Sequence, residues 1–141
     1  MSYFHFLQPI LIYLQFYKNK ITVTRLDNGK SITRMADPLF SSERMILADF
    51  TAAETLVRFC IGELVRKKMV SKPLSFVIQV MEGFEGGLSN VELRSYRDSA
   101  MFSGATRVGI LWGSIPLETN EALEVISNQQ VSAVKGMKVF R

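Results

Sequence analysis

Two short, nearly unbroken apolar runs, Ile10 to Phe16 and Leu74 to Met81, constrain this chain more than any other feature. Each is bounded by residues that break regular structure: Pro9 and Lys18-Asn19 around the first, Pro73 and the glycines from Gly83 to Gly87 around the second. An apolar run of this length without alternation reads as a strand in the middle of a sheet, covered on both faces. The remaining elements must therefore supply flanking strands and the helices that cover them.

The segment after the first run does the former. Ile21 and Val23, with Thr22 and Thr24 between them, form a β-branched, alternating strand. Asp27-Asn28-Gly29 is a hairpin signal, because Asn and Gly tolerate the positive φ that such turns need. A third strand begins near Lys30, so the chain opens as an antiparallel meander. Met35 to Met45, with Pro38, is a connection.

A helix follows, with Thr51 and Glu54 as a capping box and Asp49 adding negative charge at its positive end. Phe50, Ala53, Val57, Cys60, Ile61 and Leu64 share one face, and Glu54–Arg58 and Glu63–Lys67 are spaced as ion pairs on the other. After the second apolar strand comes another capping box, Ser89 with Glu92. Leu93, Tyr96 and Ala100 mark the inner face of its helix, and Gly104 stands where the helix should stop. Arg107 to Trp112 is the next strand, Glu118 to Ile126 a third helix, and Gln129 to Arg141 holds one last short strand. The order β-β-β-α-β-α-β-α, with that final β, predicts an α/β domain. Its sheet is mixed, with helices on its faces and parallel pairing in the second half. The 141 residues make one domain, with 1–9 a loosely ordered N-terminal segment.

Composition excludes several classes. The net charge is +4 and the pI about 9.4, but the cations are dispersed. The densest run, Arg66-Lys67-Lys68, with Lys72 close by, reads as a solvated helix end. No basic stripe with interleaved aromatics points to nucleic acid. Cys60 is the single cysteine, on an apolar helix face, so it reads as a small buried residue in a reducing compartment. His5 is the only histidine, which leaves no Ser/His/Asp or Cys/His set to assemble without it. The Tyr3 to Tyr17 run is shorter than the roughly 20 apolar residues of a spanning helix and has no Lys or Arg before Lys18. A cytoplasmic protein is expected. Tyr3, Phe4, Phe6 and Leu7 form an aromatic patch suited to a partner or to peripheral contact with the inner membrane.

The element order is that of the ribonuclease-H-like unit of actin-like ATPases, and two stretches narrow the likeness. Ile46-Leu47-Ala48-Asp49-Phe50-Thr51-Ala52-Ala53-Glu54 resembles the "VIADFxxAEK" segment of the bacterial actin-like rod-shape-determining (MreB) family. Val91 to Ala100, followed by Ser103-Gly104-Ala105, resembles that family's "VERRAIRESAxxAGA", and Phe76 to Val80 lies between them where the family has "VLVCVP". The likeness covers Ile46 to Ile110 and, loosely, the first strands. It implies the first large subdomain of such a protein.

The departures bear on activity. Where the resemblance implies an Asp-x-Gly-Thr phosphate hairpin, this chain has Gln15-Phe16-Tyr17-Lys18, with no glycine to approach a phosphate and no Asp for a metal's water shell. Where it implies a strand ending in the glutamate that positions the attacking water, the chain has Leu111-Trp112-Gly113-Ser114. The loop Glu82-Gly83-Phe84-Glu85-Gly86-Gly87 has glycines but two acidic groups that would repel a phosphate. The expectation is a non-catalytic protein without cofactor or metal, acting as an interaction module in cell-shape or cytoskeletal assembly. Its partner would be a second copy or a full-length actin-like filament protein. Met101, Phe102 and Trp112 are expected on the face left exposed. The alternative is a switch that binds nucleotide weakly.

Overall fold

The computed structural model describes residues 9–42, 45–65, 73–127 and 136–140. Within them the elements run β1 (Ile10–Tyr17), β2 (Lys20–Arg25), β3 (Ser31–Met35), α1 (Phe50–Leu64), β4 (Leu74–Val80), α2 (Asn90–Met101), β5 (Ala105–Trp112), α3 (Thr119–Ile126) and β6 (Gly136–Phe140). One mixed, six-stranded sheet has the order β3-β2-β1-β4-β5-β6. β2 pairs antiparallel with β1 and β3, whereas β4 pairs parallel with β1 and β5. The two unbroken apolar runs are thus the adjacent central strands β1 and β4. Every residue of β4 is buried.

Both hairpin turns form as the residues dictate. Asn19 takes the left-handed region at φ 53° in the two-residue loop between Tyr17 and Lys20. Gly29 does so at φ 74°, where Arg25 N–H donates to the Lys30 carbonyl at 2.8 Å and closes the loop.

α1 and α2 lie on one face. Ala52, Ala53, Val57, Cys60, Ile61 and Leu64 of α1, with Tyr96 and Ala100 of α2, meet Ile12, Leu14, Phe16, Phe76, Ile78 and Ile110 in the larger core. Phe16 is its centre, edge-on to Phe40 (centroids 5.7 Å apart) and to Tyr96 (4.9 Å). α3 lies on the other face, where Ala122 and Val125 cover Tyr13, Val77 and Leu111.

Two local expectations are corrected. The cap of α1 is Asp49, whose carboxylate accepts Ala52 N–H at 3.0 Å, and not Thr51. Starting the helix at Phe50 puts a side-chain oxygen acceptor at the cap and leaves Thr51 inside the first turn, where its carbonyl takes the Thr55 hydroxyl. The Ser89–Glu92 box on α2 is present in both directions, at 3.1 and 3.2 Å. The second correction concerns β6, which pairs antiparallel with β5 despite the intervening helix. α3 descends from the end of β5 so that Ile126 lies beside Arg107, yet Gly136 starts opposite Trp112, back at the upper end. A parallel strand would have started where α3 finishes. Arg66-Lys67-Lys68, Lys72, His5 and the N-terminal aromatics lie outside the described residues.

Candidate functional site

Strands β1, β4 and β5 end at one edge of the sheet, and the three helices among the described residues begin there. In α/β folds this edge is the usual ligand crevice. Here the chain's own loops are hydrogen-bonded to one another along it. The Asn19 side-chain oxygen accepts the successive N–H groups of Phe40 (3.0 Å) and Ser41 (2.7 Å), and Asn19 N–H donates to the Ser41 hydroxyl at 2.9 Å. The turn after β1, where a phosphate hairpin was implied, therefore fastens the β3–α1 connection. Lys20 Nζ sits 4.3 Å from the centroid of the Tyr17 ring. Phe16 of the same stretch is fully buried.

On the α3 side of this edge, Gln79 is completely buried and fully used. Its amide N–H groups reach the carbonyls of Gly113 (2.7 Å) and Ile115 (2.8 Å), and its carbonyl accepts the Tyr13 hydroxyl. Tyr13 Oη in turn accepts Leu117 N–H at 2.9 Å. Burial pushes the Tyr13 hydroxyl up to about 12, against the Leu117 bond, which favours its ionised form. The network fixes the 113–117 segment that leads into α3.

A different surface lies between α1 and α2. A groove of about 240 Å³ is lined by Phe50, Asn90, Val91, Arg94, Ser95 and Asp98. Val91 is 70% exposed, and Phe102, 59% exposed, packs edge-on to Phe50 at 5.9 Å. Arg58 holds Phe102 in place, its Nε donating to the Phe102 carbonyl at 3.1 Å, and Glu54 pairs with Arg58 at 3.1 Å. Phe102, an exposed apolar side chain, is thus held in position and flanked by charged groups.

Met101, Phe102 and Trp112 do not form one patch. Met101 and Phe102 sit at the end of α2, near the start of β5, while Trp112 is the last residue of β5. The eight residues of β5 span about 23 Å. Met101 and Trp112 are half-buried against the larger core. The Trp112 indole also lies over Gly136, where a Cβ would stand 1.9 Å from Cζ2. Only Phe102 presents its side chain largely to solvent. Cys60 is buried in the core, and burial pushes its thiol up, away from thiolate character.

Arg25, at the end of β2, emerges only from the structure. Its guanidinium grips Asp27 at 2.6 and 2.8 Å and donates to the Leu64 carbonyl at the end of α1, 3.1 Å away. Gln79, Asn19 and Arg107 likewise gain their roles in three dimensions. A sequence signal existed for Gln79, a long amide in a largely apolar central strand.

These features define a small α/β protein with a mixed sheet, loops hydrogen-bonded to one another at its usual ligand edge, and a groove of mixed character between two helices. The chain is 30% identical over 101 residues to the "Uncharacterized protein YjaA" of Escherichia coli (strain K12), a match covering 68% of this chain and 76% of that protein. It belongs to the YjaA family. No protein-family model matches it.

Proposed function

We propose that this chain is a non-catalytic interaction module, an actin-like subdomain of the ribonuclease-H-like class that binds a protein partner through the α1–α2 groove. The element order, which is that of the ribonuclease-H-like unit, supports the fold part of this reading. The observation that carries the functional part is that two largely exposed apolar residues flank Phe50, Phe102 packed edge-on to its ring and Val91 lining the groove with it. Fixed apolar anchors within a charged rim are what protein interfaces use. The partner is an actin-like filament protein or a second copy of this chain, in cell-shape or cytoskeletal assembly. The site of action is the cytoplasm, and Tyr3, Phe4, Phe6 and Leu7 are the residues proposed for contact with the inner membrane.

The test is affinity purification of the tagged protein from its own cells, read by mass spectrometry and by the mass of the purified complex. An actin-like protein or a dimer should appear with the parent chain and be lost with Val91→Ser and Phe102→Ser. Recovery of a lone monomer, or a complex indifferent to both substitutions, overturns the reading. The competing nucleotide switch predicts a rise in Tm at millimolar Mg-ATP, by mass action on the folded state.

A further inference from the structure

At the opposite edge of the sheet, where β4 and β5 begin, a cavity of about 370 Å³ opens beneath the end of α3. It is lined by Pro9, Pro73, Ser75, Thr106, Arg107 and Ile126. Ser75 and Arg107 are register partners across the parallel pair, so both side chains lie on the α3 face of the sheet. The Thr106 hydroxyl is already committed to the Leu74 carbonyl at 3.1 Å. Arg107 is not committed. Its Nε is buried, and no acceptor among the described residues reaches it. A buried donor without an acceptor is costly, and an Arg is normally compensated by a carboxylate or by carbonyls. No Asp or Glu lines this cavity among the described residues.

We infer that this cavity binds a small monocarboxylate, with its carboxyl group on Arg107 and Ser75. The Nε edge of a guanidinium offers two parallel N–H donors at the spacing of carboxylate oxygens. Nε is covered in this structure, so the guanidinium turns towards the cavity for Nε to become one tooth of that fork, and the Ser75 hydroxyl is a third donor on the same face of the sheet. One cation lines the cavity among the described residues, which matches a singly charged group rather than a phosphate dianion. Ile126, Pro9 and Pro73 give the remaining wall an apolar character suited to an aliphatic or aryl tail. The site stands at the other end of the strands from the edge where the helices begin and is independent of the α1–α2 groove.

The experiment is an NMR titration of the isotope-labelled full chain with sodium benzoate, matched in ionic strength by sodium chloride, with inorganic phosphate as the comparison anion. The Arg107 Nε–Hε signal and the amides of Ser75 and Arg107 should shift saturably with benzoate. Phosphate should give no saturable shift. Arg107→Gln should weaken benzoate binding about tenfold or more, the loss expected for a charge-assisted hydrogen bond, and Ser75→Ala should weaken it less. The Arg107 Nε–Hε signal of the unsubstituted protein decides the matter even if a variant fails to fold. An unmoved signal, a linear drift without saturation, unchanged binding in a folded Arg107→Gln, or tighter binding of phosphate would each overturn the assignment.

Discussion

On one face of the sheet, two helices of 15 and 12 residues cover a core built almost wholly from apolar and aromatic contacts centred on Phe16. On the other, α3 has eight residues and a cluster of six buried side chains, one of them a tyrosine, and the closure relies on Gln79, Tyr13 and the 113–117 backbone. The longer helices bury enough surface to fix themselves by packing. A two-turn helix has little intrinsic stability and a small apolar stripe, so hydrogen bonds made in a dry setting specify where it docks. The polar ties of the apolar face lie at its margins, among them Arg25 to Asp27 and Leu64 where β2 ends and Arg58 to the Phe102 carbonyl at the end of α2.

The largest effect should come from the apolar face. Phe16→Ala removes a fully buried ring and its two edge-on partners, and should cost about 4 kcal/mol in urea unfolding. A loss under about 2 kcal/mol would mean that the cavity collapses and that this face is less closely packed than it looks.

Gln79→Leu keeps the volume of the buried side chain but strips the carbonyls of Gly113 and Ile115, and the Tyr13 hydroxyl, of their partner. About 2 kcal/mol should be lost, and hydrogen exchange should quicken in 113–126 well before it does in α1 or α2. Uniform acceleration across both faces would erase the contrast drawn between them.

Tyr13→Phe sharpens the comparison through pH. The folded-state pKa of Tyr13 is raised above its ordinary value, so its contribution is fully present below pH 10 and is lost as pH rises towards 12. At neutral pH the substitution should cost about 1 kcal/mol for the Leu117 and Gln79 bonds. That deficit should shrink as pH climbs from 10 to 12. A gap that stays constant in chemical unfolding across that range would show that burial does not hold the hydroxyl protonated.

The smallest effect on stability belongs to the groove. Phe102→Ser should change the unfolding free energy by about 0.5 kcal/mol, because the ring is largely exposed. A loss of several kcal/mol in thermal unfolding would make Phe102 part of the core, and its exposure would no longer argue for a partner.

The strands and helices were legible because their signals are local. Unbroken apolar runs gave β1 and β4, and Asp27-Asn28-Gly29 gave the β2–β3 hairpin. Ser89 with Glu92 gave the start of α2, and Gly104, at φ 105°, its end. The cap of α1 was less legible, since Asp49 and Thr51 are both good caps and only the packed helix shows which is used. Of the surface residues, Phe102 kept its expected exposure, whereas Trp112 was drawn in by a glycine 24 positions away across β6.

By itself, then, the sequence determined the period of each segment, where the chain turns, and which strands are central. Those properties follow from backbone sterics and side-chain patterning within a few residues. The tertiary structure alone decided that β6 runs antiparallel and that Asn19 fastens a loop about 20 residues away. It also decided that Gln79 anchors the approach to α3 and that Arg107 is left without an acceptor among the described residues. Each is a pairing of groups distant in sequence, and the energy of a buried polar group depends on what the completed fold brings to it.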